Sequence, residues 1–206
     1  MLKNKKLLII PICLVILLAG YTTYATIFEN KKEPLPLKEE AQIMEEAIQQ
    51  ARDLTIKTGA VDLEKWIIRT IAEAKVFNAQ LSDNEVIKAA ERKKKENEQF
   101  IQYAIEHYNI TFTAQEVDEF IAEHFDPFDA KLDNKKIFAD LLGITTYEVN
   151  HVFDRDLNTQ LMVWMMLKPI VAEKHSISMN SLDYEQPVNI DNLLLEAYTN
   201  EMANFN

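Results

Sequence analysis

A helix-start signal that occurs three times constrains the fold more than any other feature. Each copy has a Ser or Thr three residues before a Glu, with an apolar residue on either side, at residues 81–86, 112–117 and 144–149. The hydroxyl oxygen can accept a hydrogen bond from the amide of the Glu, and the Glu carboxylate can accept one from the amide of the Ser or Thr. The sequence therefore predicts three helices that begin at Ser82, Thr113 and Thr145.

Between the first two signals, apolar residues recur at helical spacing at both ends of the segment, while its middle is polar. The residues on this face are Val86, Ala89, Ala90, Lys93, Asn97, Phe100, Ile101, Ala104, Ile105 and Tyr108. The pattern predicts one central helix of about 25 residues, roughly 37 Å long. We expect the rest of the domain to pack on this helix.

Other periodic segments predict further helices. Because the chain has only three Gly and six Pro, a many-turned β fold is disfavoured, and we predict an all-α domain over residues 39–206. The expected boundaries are Gly59 after the first helix, Asp62 as the cap of the second, Asp126 and Pro127 after the fourth, Gly143 after the fifth, Pro169 after the sixth and Asp191 as the cap of the seventh.

Residues 1–28 form a targeting segment, in which Lys3, Lys5 and Lys6 precede an uncharged apolar run at residues 7–28. The run is long enough to cross a hydrocarbon core of about 30 Å, and the lysines favour a cytoplasmic N-terminus. We therefore predict a single-pass membrane anchor, a linker at residues 29–38 and an extracytoplasmic C-terminal domain. The alternatives are secretion after signal cleavage near Ala25 and a buried soluble helix.

The part of the chain after this segment is strongly acidic. The whole chain carries a net charge of −11, and without its three N-terminal lysines the remainder carries −14. The one basic run, residues 92–95, lies among glutamates in the predicted central helix, and such a run is typical of a solvated helix face rather than a nucleic-acid site. We therefore expect no nucleic-acid partner.

Residues that could catalyse a reaction or bind a metal are sparse. The four histidines, His107, His124, His151 and His175, lack the three- or four-residue spacing of a helical metal site, and the one cysteine, Cys13, lies in the apolar run. Neither a glycine-rich phosphate loop nor a Gly-x-Ser-x-Gly motif occurs. We predict no catalytic site, no metal site and no cofactor.

Three segments resemble the N-terminal domain shared by the SurA and PrsA extracytoplasmic foldases. They are AKVFNAQLSDNEV at residues 74–86, YAIEHYNITFTAQEVD at 103–118 and LGITTYEV at 142–149, in the order and spacing of the family over residues 73–172. Asn109 stands where the family usually has glycine, and the family's parvulin prolyl-isomerase domain has no counterpart after residue 172. The resemblance implies a chaperone-like helical domain, completed by the C-terminal helix and without isomerase activity.

The resemblance also implies that unfolded or exported polypeptides bind the domain. The apolar candidates for that contact are Phe125, Phe128, Met162, Trp164, Met165 and Met166. Residues 161–167 are apolar on all sides, so they are either covered on both sides or exposed for a partner. We predict a membrane-tethered holdase. The alternative is an anchored interaction protein with one dedicated envelope, secretion or mobile-element partner.

Overall fold

The structure, a computed structural model, describes residues 36–129, 131–178 and 190–203. Every regular element within these ranges is helical, which confirms the all-α prediction. The predicted anchor at residues 1–28 and residues 29–35 of the predicted linker lie outside the described residues, and the last two linker residues, Leu37 and Lys38, already belong to the first helix. Within the described ranges, no helix combines the length and the apolar character needed to cross a bilayer.

Nine helices account for most of the described residues. They are α1 (Leu37–Thr58), α2 (Glu64–Val76), α3 (Asp83–Tyr108), α4 (Ala114–His124), α5 (Asp126–Asp129), α6 (Asp133–Leu142), α7 (Thr146–Glu148), α8 (Arg155–Lys174) and α9 (Ile190–Ala203). A 3₁₀ turn at Val61–Leu63 precedes α2, and a π-helical turn at Val149–Phe153 lies between α7 and α8.

All three predicted helix starts are confirmed. The amides of Ser82, Thr113 and Thr145 donate to the carboxylate three residues later at 2.8, 2.6 and 2.7 Å. α3 has 26 residues, as its apolar spacing predicts. Gly59 and Gly143 follow α1 and α6 with φ of 73° and 78°, a left-handed conformation that costs glycine little.

Three predicted boundaries are wrong. Asp62 does not cap α2, because it lies inside the 3₁₀ turn and α2 begins at Glu64. Asp191 does not cap the last helix, because α9 already begins at Ile190. Pro169 does not end its helix: α8 continues to Lys174, and the residues beyond the proline include the buried Val171. Packing of that last turn outweighs the hydrogen bond that proline removes.

The expected single helix over residues 145–168 is also interrupted. After α7 the chain makes a π-helical turn, in which the amide of Asp154 donates to the carbonyl of Val149 at 2.7 Å, and α8 starts anew at Arg155. The expected break at Asp126 and Pro127 is a single helical turn, α5, directly after α4. Both irregularities lie beside each other, since Asn150 donates to Asp126 at 2.9 Å.

α3 spans two separate apolar cores, which explains why its sequence is apolar at both ends and polar in the middle. Its N-terminal half, through Val86 and Ala90, belongs to a first core with α1, α2 and α6. Its C-terminal half, through Phe100 and Ala104, belongs to a second core with α8 and α9. Each core buries about one face of each helix that contributes to it, as amphipathic helices require.

A polar layer lies between the two cores. We define it as Arg69, Lys93, Asn97, Asp154, Asp156 and Gln160. In its middle, Asn97 of α3 donates to Gln160 of α8 at 2.7 Å, and Lys93 pairs with Glu73 of α2. These contacts satisfy polar groups that α3 carries into the interior, where an unpaired polar group is costly.

Arg69 is the centre of this layer and is 1% exposed. Its guanidinium donates to the carbonyl of Phe153 at 2.7 Å, to Asp154 at 3.1 Å and to Asp156 at 2.9 and 3.2 Å. The ring of Trp66 lies 4.6 Å from the guanidinium carbon. Arg69 therefore connects α2 to the end of the π-helical turn and to the start of α8. A guanidinium suits this position because it is planar and carries several N–H donors.

α9 closes the second core. Leu194 and Tyr198 are fully buried there, and the Tyr198 hydroxyl donates to the carbonyl of Phe100 at 2.7 Å. At its far end, Glu201 accepts from Lys174 at 2.7 Å and from Tyr108 at 2.7 Å. Burial alone would raise the pKa of Glu201, but the hydrogen bonds from Lys174, Tyr108 and His175 outweigh it and lower the pKa to about 2.

Replacing Arg69 by Leu should lower the free energy of unfolding by about 3 kcal/mol, because the buried Asp154 keeps only Lys135 as a cation partner and the partly buried Asp156 keeps only Lys65. The matched control is Lys57→Met, which removes an exposed ion pair to Asp83 and should cost less than about 1 kcal/mol. Urea titration of the two variants measures both values. Equal losses would show that the polar layer does not hold the two cores together.

Replacing Glu201 by Gln should lower the free energy of unfolding by about 2 kcal/mol at neutral pH, because hydrogen bonds to a charged acceptor are lost. The pKa of Glu201 is lower in the folded chain than its ordinary 4.5, so this contribution is complete above that pH and disappears as the pH falls towards about 2. Urea titrations from pH 7 to pH 2 should therefore show the two proteins converging. Glu196→Gln on the exposed side of α9 is the control, and a gap that persists at pH 2 would contradict the assignment.

Candidate functional site

The C-terminal half of α8 has one buried face and one exposed apolar face. Val163, Trp164 and Leu167 point into the second core and are almost fully buried. The residues between them in sequence, Met165 and Met166, are exposed. The run at residues 161–167, which is apolar on all sides, is therefore covered on one side and open on the other.

α4 covers the first half of the outer face of α8. Met162 packs with Val117 and Ile121 of α4 in a small apolar cluster. Two turns before Met162 on α8, the Arg155 guanidinium pairs with Asp118 of α4 and donates to the carbonyl of Ala114 at 2.9 Å. The Arg155 guanidinium, with His151, holds the pKa of the Asp118 carboxyl below its ordinary value. These contacts hold α4 against α8 but do not extend along it.

Beyond Met162 the same face of α8 continues without a cover from the described residues. We name Met165, Met166, Pro169 and Ile170 the outer stripe of α8; they lie three, four, seven and eight residues after Met162 and so share its face. Met165, Met166 and Ile170 are 46%, 37% and 39% exposed, and Pro169 is exposed as well. The stripe is about 8 Å long at 1.5 Å per residue.

The chemistry of this stripe suits contact with apolar side chains of varied shape. Two of its four members are methionines, whose flexible thioether adapts to irregular partners at low cost. Pro169 has no N–H and cannot donate to the carbonyl of Met165, but its ring adds apolar surface to the stripe. The stripe therefore offers contact to apolar groups of varied shape.

The structure divides the six residues proposed from sequence for client contact. Met165, Met166 and Phe128 are exposed, the last at 57%. Phe125 is half-buried and packs in the same small cluster as Met162. Met162 and Trp164 are buried, and Trp164 packs its edge against Phe100 in the second core at a ring distance of 6.2 Å. Only the exposed residues of this set can contact a partner while the helices stay packed against each other.

Sequence reasoning missed two members of the stripe, Pro169 and Ile170. Because proline usually ends a helix, both residues were predicted to lie after the helix. The prediction therefore did not show that they share a helix face with Met165 and Met166. A signal was present in the sequence: Val171 and Ala172 continue the apolar spacing of Leu167 beyond the proline. That continuation favours a helix that runs through Pro169.

A second cluster of polar side chains surrounds His151 at the π-helical turn. Its Nδ1 lies 3.2 Å from Asp118 and its Nε2 lies 3.1 Å from Asp126, while the Tyr147 ring stacks on the imidazole at 3.9 Å. Turns of this type are common at functional sites. Both ring nitrogens already face carboxylates, however, so neither is open to a substrate, and the cluster serves to tie α4 and α5 to the start of α8.

Comparisons of this chain with protein-family models, with curated proteins and with solved structures find no match. The resemblance to the SurA and PrsA N-terminal domain therefore stays a prediction. In the part of the chain that the structure describes, no three His, Cys, Asp or Glu side chains are grouped as metal ligands. The outer stripe of α8 is the surface of the described residues that best fits a binding function.

Proposed function

We propose that this protein is a membrane-tethered, extracytoplasmic holdase that binds unfolded or exported polypeptides without catalysing a reaction on them. The observation that carries the proposal is the outer stripe of α8, an exposed apolar surface on a helix whose opposite face is a fully packed core. Exposed apolar residues that adjoin one another are a feature of interaction sites, whereas scattered ones are ordinary.

The size of the stripe favours weak binding of many clients over a dedicated partner. Stable complexes bury about 800 Å² on each partner, and four side chains in two helical turns supply only a fraction of that area. An unfolded chain also loses conformational freedom when it binds. Affinity for any one client should therefore be low and binding should be transient, which is what a holdase requires.

Two features of the sequence support the location and the class of activity. The uncharged run at residues 7–28, behind three lysines, would anchor the domain on the outer side of the membrane where exported chains emerge. The three helix starts at Ser82, Thr113 and Thr145 have the order and spacing of the SurA and PrsA N-terminal domain, a chaperone-like domain. On this proposal the domain binds its clients without catalysing prolyl isomerisation.

The test uses the full chain in lipid nanodiscs, added to a refolding protein that is prone to aggregation. We expect light scattering to fall at several-fold excess of the chain, and Met165→Ser/Met166→Ser to lose most of this effect because the stripe then no longer offers an apolar surface. The control is Ile56→Ser/Val152→Ser, at two positions that are more exposed, 83% and 66%, but belong to α1 and to the π-helical turn rather than to the stripe.

Each of the other outcomes would overturn part of the proposal. Aggregation that proceeds unchanged with the parent chain would reject the holdase function and leave the dedicated-partner alternative. Equal loss in the two double variants would reject the outer stripe as the site. Acceleration of prolyl isomerisation in a parallel peptide assay would show that the protein is a catalyst, against the proposal.

A further inference from the structure

We propose that Met165 and Met166 of the outer stripe form a reversible oxidation site, at which a hydroperoxide converts both thioethers to sulfoxides and thereby weakens client binding. The inference rests on the proposed function and adds a chemical regulation of the same site. It follows from where each described methionine lies relative to the two cores.

The described methionines differ sharply in exposure. Met165 and Met166 are 46% and 37% exposed and adjoin one another on the open face of α8. Met44 and Met162 are only 4% and 6% exposed, the first within the first core and the second under α4. Met202 is half-buried against the second core. Since oxidation of methionine requires the oxidant to reach the sulfur, an oxidant in solution attacks the exposed pair first.

The oxidation itself needs no catalytic group from the protein. A lone pair of the sulfur attacks one oxygen of the hydroperoxide, so that an S–O bond forms and the O–O bond breaks. The sulfur loses two electrons, which reduce the peroxide, and the proton of the attacked oxygen passes to the leaving oxygen. The products are a sulfoxide and water, or a sulfoxide and an alcohol when the oxidant is an alkyl hydroperoxide.

The orientation of α8 keeps the fold intact when this pair is oxidised. Trp164 and Leu167, which pack α8 into the second core, are not altered, and the pair itself faces solvent. An added oxygen therefore does not enter either core. The same change at Met162 would place a polar oxygen against Val117 and Ile121, where it would loosen the contact with α4.

Sulfoxide formation removes the property on which client contact depends. A sulfoxide is polar and accepts hydrogen bonds from water, so an apolar client that covers it must displace that water at a cost. Pro169 and Ile170 would then be the only apolar residues left in the outer stripe. Methionine sulfoxide reductases return both sulfoxide epimers to the thioether, so the loss of binding is reversible.

The first test locates the site on the full chain in lipid nanodiscs. After mild treatment with hydrogen peroxide, proteolysis and mass spectrometry give the rate at which each methionine gains an oxygen. We expect Met165 and Met166 to react about tenfold faster than Met44 and Met162, which are reached only when the structure opens locally. In denaturing urea the four rates should become similar. Equal rates in the folded chain would overturn the oxidation site.

The second test measures binding of a fluorescein-labelled, leucine-rich peptide by fluorescence anisotropy, before and after peroxide. We expect oxidation to weaken binding by the parent chain about tenfold, and methionine sulfoxide reductases to restore it. Met165→Leu/Met166→Leu has no sulfur in the stripe, so its affinity should be the same before and after peroxide. Met202→Leu, which removes a sulfur from α9, should show the same loss as the parent. The urea midpoint of the parent should not change on oxidation.

Failure of the inference and failure of the proposed function give different results. Selective oxidation without a change in peptide binding would overturn the regulation and keep the holdase site. Equal loss of binding by the parent and by Met165→Leu/Met166→Leu would assign the effect to another group, such as Cys13, and overturn the inference. Absence of peptide binding by the untreated parent would reject the proposed function and the regulation of binding with it, while the oxidation rates would still decide whether the pair is the oxidation site.

Discussion

The buried guanidinium of Arg69 is the interaction on which the rest of the structure depends. It donates hydrogen bonds to the carbonyl of Phe153 and to the carboxylates of Asp154 and Asp156. These acceptors lie where the π-helical turn interrupts the helical segment of residues 146–174. Lys135 of α6 binds the second oxygen of Asp154 at 3.3 Å. This network joins α2, α6 and α8 at one point and fixes the direction in which α8 leaves the π-helical turn.

The direction of α8 then decides which surface the protein presents. Because Trp164 and Leu167 are held against α3 and α9, Met165 and Met166 must point away from the second core. α4 covers this outer face only as far as Met162. A buried ionic network is not in itself strong evidence for stability, but here it separates two apolar cores and sets the orientation of the helix that carries the exposed stripe.

Local signals in the sequence predicted much of the fold, and contacts between distant residues account for the failures. The capping boxes at Ser82, Thr113 and Thr145 and the glycines at 59 and 143 act within one turn of their own helix, so they can be recognised without knowing the fold. The π-helical turn could not be predicted, because Arg69 stabilises it from more than eighty positions away.

The candidate site was predicted in part for the same reason. The apolar composition of residues 161–167 identified Met165 and Met166 as candidates. Whether a residue of α8 is exposed depends on which face of the helix the cores cover. The local sequence does not show that Trp164 is buried while its neighbour Met165 is exposed. Pro169 and Ile170 were lost because a local rule for proline was applied where the packing of Val171 against the second core overrides it.

On the proposed function, the outer stripe of α8 contacts many different extracytoplasmic polypeptides. The most direct measurement places a photo-cross-linking amino acid at position 166 of the full chain in cells, with position 56 as the exposed control, and identifies the adducts by mass spectrometry. We expect adducts with numerous unrelated exported proteins from position 166 and few from position 56. One predominant partner at position 166, or equal labelling at both positions, would contradict it.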